Sequence, residues 1–320
     1  MEQRGFGVRL RLHASVHLND EAGERALSIG GSTVNVRVPR EPELLNPTRI
    51  VLNVRGFPDE ESATAYGKRL KAAVAVAAAL QGFGIDLGDG QAGSLLDEAL
   101  KGQIKAEKNI TLREDLHGLD VFHDDGTVRH LEVSPQEAGA SPPAALLAPV
   151  GQAFRWVQDL PKPLIEVAQL LNAADYAGVP GARIVLSLFA IEMMAPQLGW
   201  SYGARTLLND LILAVNSSAS VDDEESTQLA QSLAKLQEYG PLSNVRVWAL
   251  LKDLGMTGHW RSLTGIYDAR SNLLRGNFVD KQQLEEASVT ARQVAQDVLI
   301  AALKQQGADV ASLLRAKAGG

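Results

Sequence analysis

The 320-residue chain contains no cysteine. That excludes disulfide staples, thiolate-bound zinc and cysteine nucleophiles, and it fits a reducing compartment. Aromatic residues are scarce, at 5%, so the core is expected to be built mainly from aliphatic side chains. The longest apolar run, Ala72 to Leu80, is mostly alanine and far short of the ~20 residues of a membrane span. The opening MEQRGFG has no apolar signal core. These absences predict a soluble, cytoplasmic protein with no membrane partner. The net charge of −7 argues against a surface that coats nucleic acid throughout and confines any such contact to a local basic cleft. With 45% hydrophobic and 22% charged residues, the composition is that of a globular protein, and the length suggests two domains.

Hydrophobic periodicity divides the chain. From Val8 to Leu18 the apolar residues Val8, Leu10, Leu12, Ala14, Val16 and Leu18 alternate with Arg9, Arg11, His13, Ser15 and His17, the period of a half-buried strand. Short strands are expected at Ala26–Ile29, Thr33–Val38 and Thr48–Val54, with a turn at Gly30-Gly31. A long alanine-rich helix should follow Pro58, led by Asp59, Glu60 and Glu61 and closed by Gly82 or Gly84. A short helix around Ser94–Lys105 and a β-hairpin turning at Asp125-Gly126 complete an α+β domain, 1–134. The alanine- and proline-rich stretch 135–149 reads as a linker. Beyond it all segments have helical periodicity, giving an all-α domain, 150–306. Its helices are expected at Leu164–Ala177, Arg183–Ala195, Ala204–Asn216, Asp222–Tyr239, Leu242–Asp253, Gly258–Leu274 and Lys281–Gln306. The small, cationic tail 307–320 is expected to fray.

Two groups invite a chemical reading and lose to plainer ones. The loop Gly82–Gly88 has glycines but follows a helix and lacks GxGxxG spacing, so it reads as a helix end and turn rather than a dinucleotide loop. His117, Asp120, His123, Asp124, Asp125 and His130 include metal-ligand types, and His123 and His130 would face each other across the expected hairpin. Asp124, Asp125 and Gly126 are, however, what a tight turn requires in any case. Neither a nucleophile elbow, nor HExxH, nor a Walker loop is present. No cofactor is implied.

The segment Ile266–Val279, IYDARSNLLRGNFV, stands out. A helix that turns Ile266, Ala269, Leu273 and Leu274 inward would show Tyr267, Asp268, Arg270, Ser271 and Asn272 elsewhere, and it would end at Gly276. This resembles the signature of the HEPN family (higher eukaryote and prokaryote nucleotide-binding), in which tyrosine, arginine, serine, histidine and glycine follow at set spacing. Tyr267, Arg270, Ser271 and Gly276 fall in place, and Arg275 occupies the histidine position. Arg183–Pro196, with Glu192, resembles an early helix of such domains; Ala204–Val215 and the last helix suit the helices around it. The likeness is greatest to the prokaryotic ApeA-like subgroup associated with phage defence, and it covers the carboxy-terminal half only.

The resemblance implies a homodimer that presents the motif to RNA, and in active members metal-independent cleavage leaving a cyclic phosphate. Arginine stays protonated and cannot serve as the base that histidine supplies, so Arg275 weakens the case for cleavage and strengthens that for phosphate binding. Arg270, Ser271, Asn272 and Arg275 are the expected phosphate contacts, with Tyr267 and Asp268 supporting them; Arg270 would also be the catalytic group if the protein cleaves. Asp268 is placed to offset the arginines that a dimer would bring together. His259, the helical domain's only histidine, lies about 16 Å along a helix from Arg270 and reads as a helix-start residue. The alternative is a non-catalytic dimeric scaffold or sensor whose amino-terminal domain binds a ligand or partner protein.

Overall fold

Alternating apolar residues at the start of the chain form β1 (Gly5–Ala14). The computed structural model describes residues 5–15, 24–37, 48–88, 97–114, 116–130, 144–217, 222–239, 243–277 and 280–318; Val16, His17 and Leu18 of the expected strand lie outside them. β1 is central. On one side it pairs antiparallel with β4 (Thr48–Phe57). On the other it pairs with β7 (Gly118–Asp124) along residues 5–11 and with β5 (Ile85–Asp86) at His13 and Ala14. A hairpin of β2 (Glu24–Ile29) and β3 (Ser32–Arg37) turns at Gly30 and Gly31, both at positive φ, and adds to β4.

The register assigns the two faces. Val8, Leu10 and Leu12 stand beside Val54, Leu52 and Ile50, all at most 1% exposed. Arg9, Arg11 and His13 take the opposite face with Arg49, Asn53, Asp86 and Asp120. Against the apolar face lies α1 (Glu60–Gln81), whose Gly67 has no Cβ to clash with Val8 and Leu119. Its amino end is capped by Asp59, which accepts from Ser62 N, and Gly82 ends it in the left-handed conformation. Every residue from Ala73 to Gln81 is buried. A helix apolar all round must be covered all round, and α1 is: the sheet takes one side and later helices the other. Alanine lets both layers approach closely.

Three expectations change. The turn at Asp125-Gly126 forms, with Gly126 at φ 80°, but the strands beside it do not make a hairpin. β7 joins the main sheet, while β8 (Val128–His130) pairs parallel with β6 (Thr111–Arg113). Leu119 and Val121 gain apolar burial by aligning with Leu10 and Val8 of β1, which a local hairpin does not offer. Secondly, α3 (Ala144–Trp156) begins inside the stretch expected to be a linker, and its Leu147, Val150, Ala153 and Phe154 enter the core; residues 135–143 lie outside those described. Thirdly, the tail expected to fray contains α11 (Val310–Ala318), whose Val310 and Leu313 are 1% and 0% exposed. Gln81 Nε2 donates to Leu313 O at 2.8 Å, tying α11 to α1.

The other helices fall within three residues of expectation: α4 (Lys162–Tyr176), α5 (Pro180–Met194), α6 (Tyr202–Asn216), α7 (Asp223–Tyr239), α8 (Ser243–Asp253), α9 (Trp260–Leu274) and α10 (Lys281–Gln305). A short α2 (Glu98–Lys108) precedes β6. The chain is thus an antiparallel sheet with helices followed by a predominantly helical part. Side chains of the helical part reach the backbone of α1 directly: Asn172 donates to Ala75 O, Arg292 to Ala79 O and Gln296 to Leu80 O. Among the described residues, no helix is long and apolar enough to cross a membrane.

Candidate functional site

The motif helix α9 packs on α5 and α10. Leu263 and Ile266 point into the core, which turns Tyr267 and Arg270, one turn apart, toward the end of α5. There Arg270 Nη1 donates to Glu192 Oε1 at 3.0 Å. The pair is only partly covered, with side chains 28% and 18% exposed. The guanidinium carbon also lies 5.1 Å from the centre of the Tyr267 ring, in reach of a cation–π contact. Burial, and then the charge of Glu192, push the Tyr267 hydroxyl well above the usual tyrosine range, against a smaller lowering by Arg270. Tyr267 therefore stays a neutral phenol.

Tyr267, Asp268 and Arg270 share a cavity of about 380 Å³ with Trp260, Thr264 and the first residues of α8, Ser243 and Asn244. An adjoining apolar recess is floored by Trp248 and Trp260, their rings edge to face at 5.2 Å. The cation thus sits beside aromatic surface.

Ser271, Asn272 and Arg275 lie at the far end of the same helix. Ser271 O accepts from Arg275 N, and Asn272 accepts from Asn277 through both its carbonyl and its side chain. Gly276, at φ 70°, ends the helix. Arg275 is exposed at the cap and, five residues on, stands roughly 140° around the helix from Arg270. The motif therefore separates into an arginine paired with Glu192 in the cavity and an exposed one at the helix end. His259 precedes α9, as expected, and faces α10 with its Nε2 3.8 Å from Asp297 Oδ2.

No family model, no curated protein and no solved structure matches this chain.

The histidine and aspartate group of the amino-terminal part is dispersed. Asp120, 4% exposed, accepts from Arg113 at 2.8 Å and lies 3.3 Å from His130 Nε2. Asp124 and Asp125 hold the turn by accepting from Gly126 N and Thr127 N. His123 sets its ring edge to face with Phe6, so His123 and His130 are not brought together. His117 instead meets two residues the sequence did not single out. Its Nε2 is 2.9 Å from Asp86 Oδ2, and its ring stacks on His13 at 4.4 Å. Burial, then the neighbouring His117, Arg11 and Arg49, push His13 down to about 4. Burial acts to raise Asp86, but Gly88 N–H and His117 outweigh it and hold the carboxyl below its usual value. His13 was hidden in the strand's polar alternation and Asp86 in the glycine loop; only the β1–β5 register, which sets them opposite each other, unites them.

Proposed function

We propose that the helical part is a HEPN-like RNA-binding module that acts as a homodimer, and that it binds RNA rather than cleaving it. The observation that supports this reading best is the Arg270–Glu192 contact at 3.0 Å. The resemblance singles out these two residues on separate helices, 78 positions apart, and Arg270 lines a cavity together with Trp260 and Tyr267. Arg270 supplies a cation for phosphate, while Trp248 and Trp260 offer aromatic surface on which unpaired bases can stack. Arg275 stands where a cleaving relative would carry its base and cannot take a proton at neutral pH. A part in phage defence or in a toxin-like system rests on the resemblance alone.

Dimerisation has a candidate surface in α6, which packs chiefly on α7 and leaves Leu207, Leu211 and Leu213 at 60%, 44% and 66% exposed. A monomer by light scattering at micromolar concentration removes that part of the reading.

Fluorescence anisotropy with a labelled single-stranded RNA tests the whole. The parent binds and leaves the RNA intact; Arg270→Ala lowers affinity about tenfold and reduces the salt slope by about 1. Arg275→His tests whether cleavage was silenced at that position. No RNA binding by the parent, or equal binding by Arg270→Ala, rejects the assignment.

A further inference from the structure

At the junction of the sheet edge with α4, three side chains from three separate elements converge. His13 comes from β1, Asp86 from β5, and His117 from the residue before β7. Their candidate ligand atoms lie within 4.8 Å of one another. We propose that His13, Asp86 and His117 bind a first-row divalent transition-metal ion, leaving open coordination positions toward the adjoining cavity.

The backbone fixes this convergence. The β1–β5 ladder sets His13 opposite Asp86, and Ser15 N donates to Gly84 O at 2.8 Å, anchoring the loop. Gly88, at φ 58°, lies so close to the next loop that a Cβ would fall 2.3 Å from His117 O. Only glycine lets the two loops meet there, and their meeting carries His117 to Asp86. Gly88 N in turn donates to Asp86 Oδ1 at 3.0 Å, which orients the carboxylate with Oδ2 toward His117. Lys71 Nζ braces the loop through Gly88 O at 2.6 Å. Hydrogen bonds of this outer kind orient ligands in metal sites.

The donor set selects the ion. Two imidazoles and one carboxylate suit zinc or iron, cobalt, nickel and copper, whereas magnesium and calcium prefer all-oxygen shells. Metal–nitrogen bonds of about 2.1 Å set tetrahedral ligand atoms roughly 3.4 Å apart. The candidate atoms already lie within 4.8 Å of one another, and on metal binding the His117–Asp86 hydrogen bond gives way to two bonds to the metal. Arg11 and Arg49 nearby oppose a second cation and moderate the affinity.

A second observation points to a ligand in the same place. The cavity is about 490 Å³ and is walled by Asp86, His117, Lys71, Gln169, Asn172 and Tyr176. Asn172 is 1% exposed, and its Oδ1 has no hydrogen-bond partner among the described residues; His117 Nδ1 is likewise buried and unpartnered. Buried polar atoms without partners are uncommon. Three protein ligands beside such a cavity leave room for water or a small oxygen-donor molecule on the metal.

The full chain, stripped with chelator and dialysed, is titrated with Zn²⁺ by calorimetry. One ion per chain is expected. His13→Gln, Asp86→Asn and His117→Gln should each weaken binding at least tenfold, and His123→Gln should not. Cu²⁺ electron paramagnetic resonance on the parent chain, which needs no variant to fold, should show two nitrogen donors. Absence of stoichiometric binding, equal loss in His123→Gln, or fewer than two nitrogen donors overturns the site and leaves His117–Asp86 as a hydrogen-bonded pair.

Discussion

Replacing Arg292 by alanine probes how the helical part is fastened to the sheet. Arg292, on α10, is 7% exposed. Its Nη2 donates to Ala79 O at 2.7 Å, its Nε to Asp175 Oδ2 at 2.7 Å, and its Nη1 to Gln296 Oε1 at 3.3 Å. It therefore joins three helices, and it places a cation at the carboxyl end of α1, where the helix dipole favours one. Truncation leaves the Asp175 side chain, 12% exposed, without its main partner. Breaking a buried ion pair from one side costs about 3–5 kcal/mol. Arg183, whose Nε is 4.0 Å from Asp175 Oδ1, can move in and compensate in part, which argues for the lower end. About 3 kcal/mol is a factor of roughly 150 in the folding constant.

Urea unfolding followed by circular dichroism reads this as a lower midpoint with an unchanged slope. A double variant, Arg292→Met with Asp175→Leu, removes both charges and should recover most of the loss, since a buried pair is worth little against apolar side chains of similar volume. A loss under about 1 kcal/mol in Arg292→Ala means that the pair is not buried in solution. A double variant no better than the single means that the cost lies in packing and not in an orphaned carboxylate.

Asp120 yields a pH-dependent expectation. Burial acts to raise its pKa, but the hydrogen bonds from His130 and Arg113 outweigh it and hold the carboxyl below its ordinary value. Its ionised form therefore stabilises the fold above the unfolded carboxyl's pKa of about 3.9, and that contribution is lost as pH falls through the folded value. Asp120→Asn should cost stability at pH 7, with the gap to the parent closing below about pH 4 in melts across pH 3–7; a constant gap refutes it. Leu313→Ala should cost about 2–5 kcal/mol in urea unfolding if α11 is docked, whereas a change below about 0.5 kcal/mol shows that it is not. Glu192→Gln releases Arg270 from its carboxylate and should tighten RNA binding by up to about fivefold at low salt, the worth of a part-exposed ion pair. Weaker binding would instead assign Glu192 to holding Arg270 in its working position.

Much of this architecture was legible because local period and burial agree. Leu10 and Leu12 alternate in a strand covered on that face, and the helices from Lys162 onward carry their apolar residues at helical spacing. What escaped depends on contacts between distant segments. Nothing local in Leu119 and Val121 says that they align with Leu10 and Val8 rather than turn back on the following strand. Val310 and Leu313 are too few apolar residues to announce a docked helix, and they become core only because Gln81 and α3 lie beside them. The Arg270–Glu192 pair is not expected from the sequence, in which Asp268 is the carboxylate placed to offset the arginines; it forms because α9 packs on α5. His13, Asp86 and His117 belong to no motif: a polar-face histidine, a loop aspartate and a histidine before a strand acquire meaning only when β5 pairs with β1.

On the proposed RNA-binding reading, the chemistry around Arg270 limits how RNA can be held. The charge of Arg270 is offset by Glu192 at 3.0 Å, in a chain of −7 overall. Counterion release at such a site is small, and a strongly salt-dependent grip is not expected. Arg270 gives one amino group to Glu192, and a guanidinium has five N–H donors, so donors remain for phosphate. On that reading, affinity comes in good part from bases stacking on Trp248 and Trp260, each worth about 1–3 kcal/mol. If the site holds RNA as proposed, unpaired RNA should bind better than duplex, because only unpaired bases can present their faces to it.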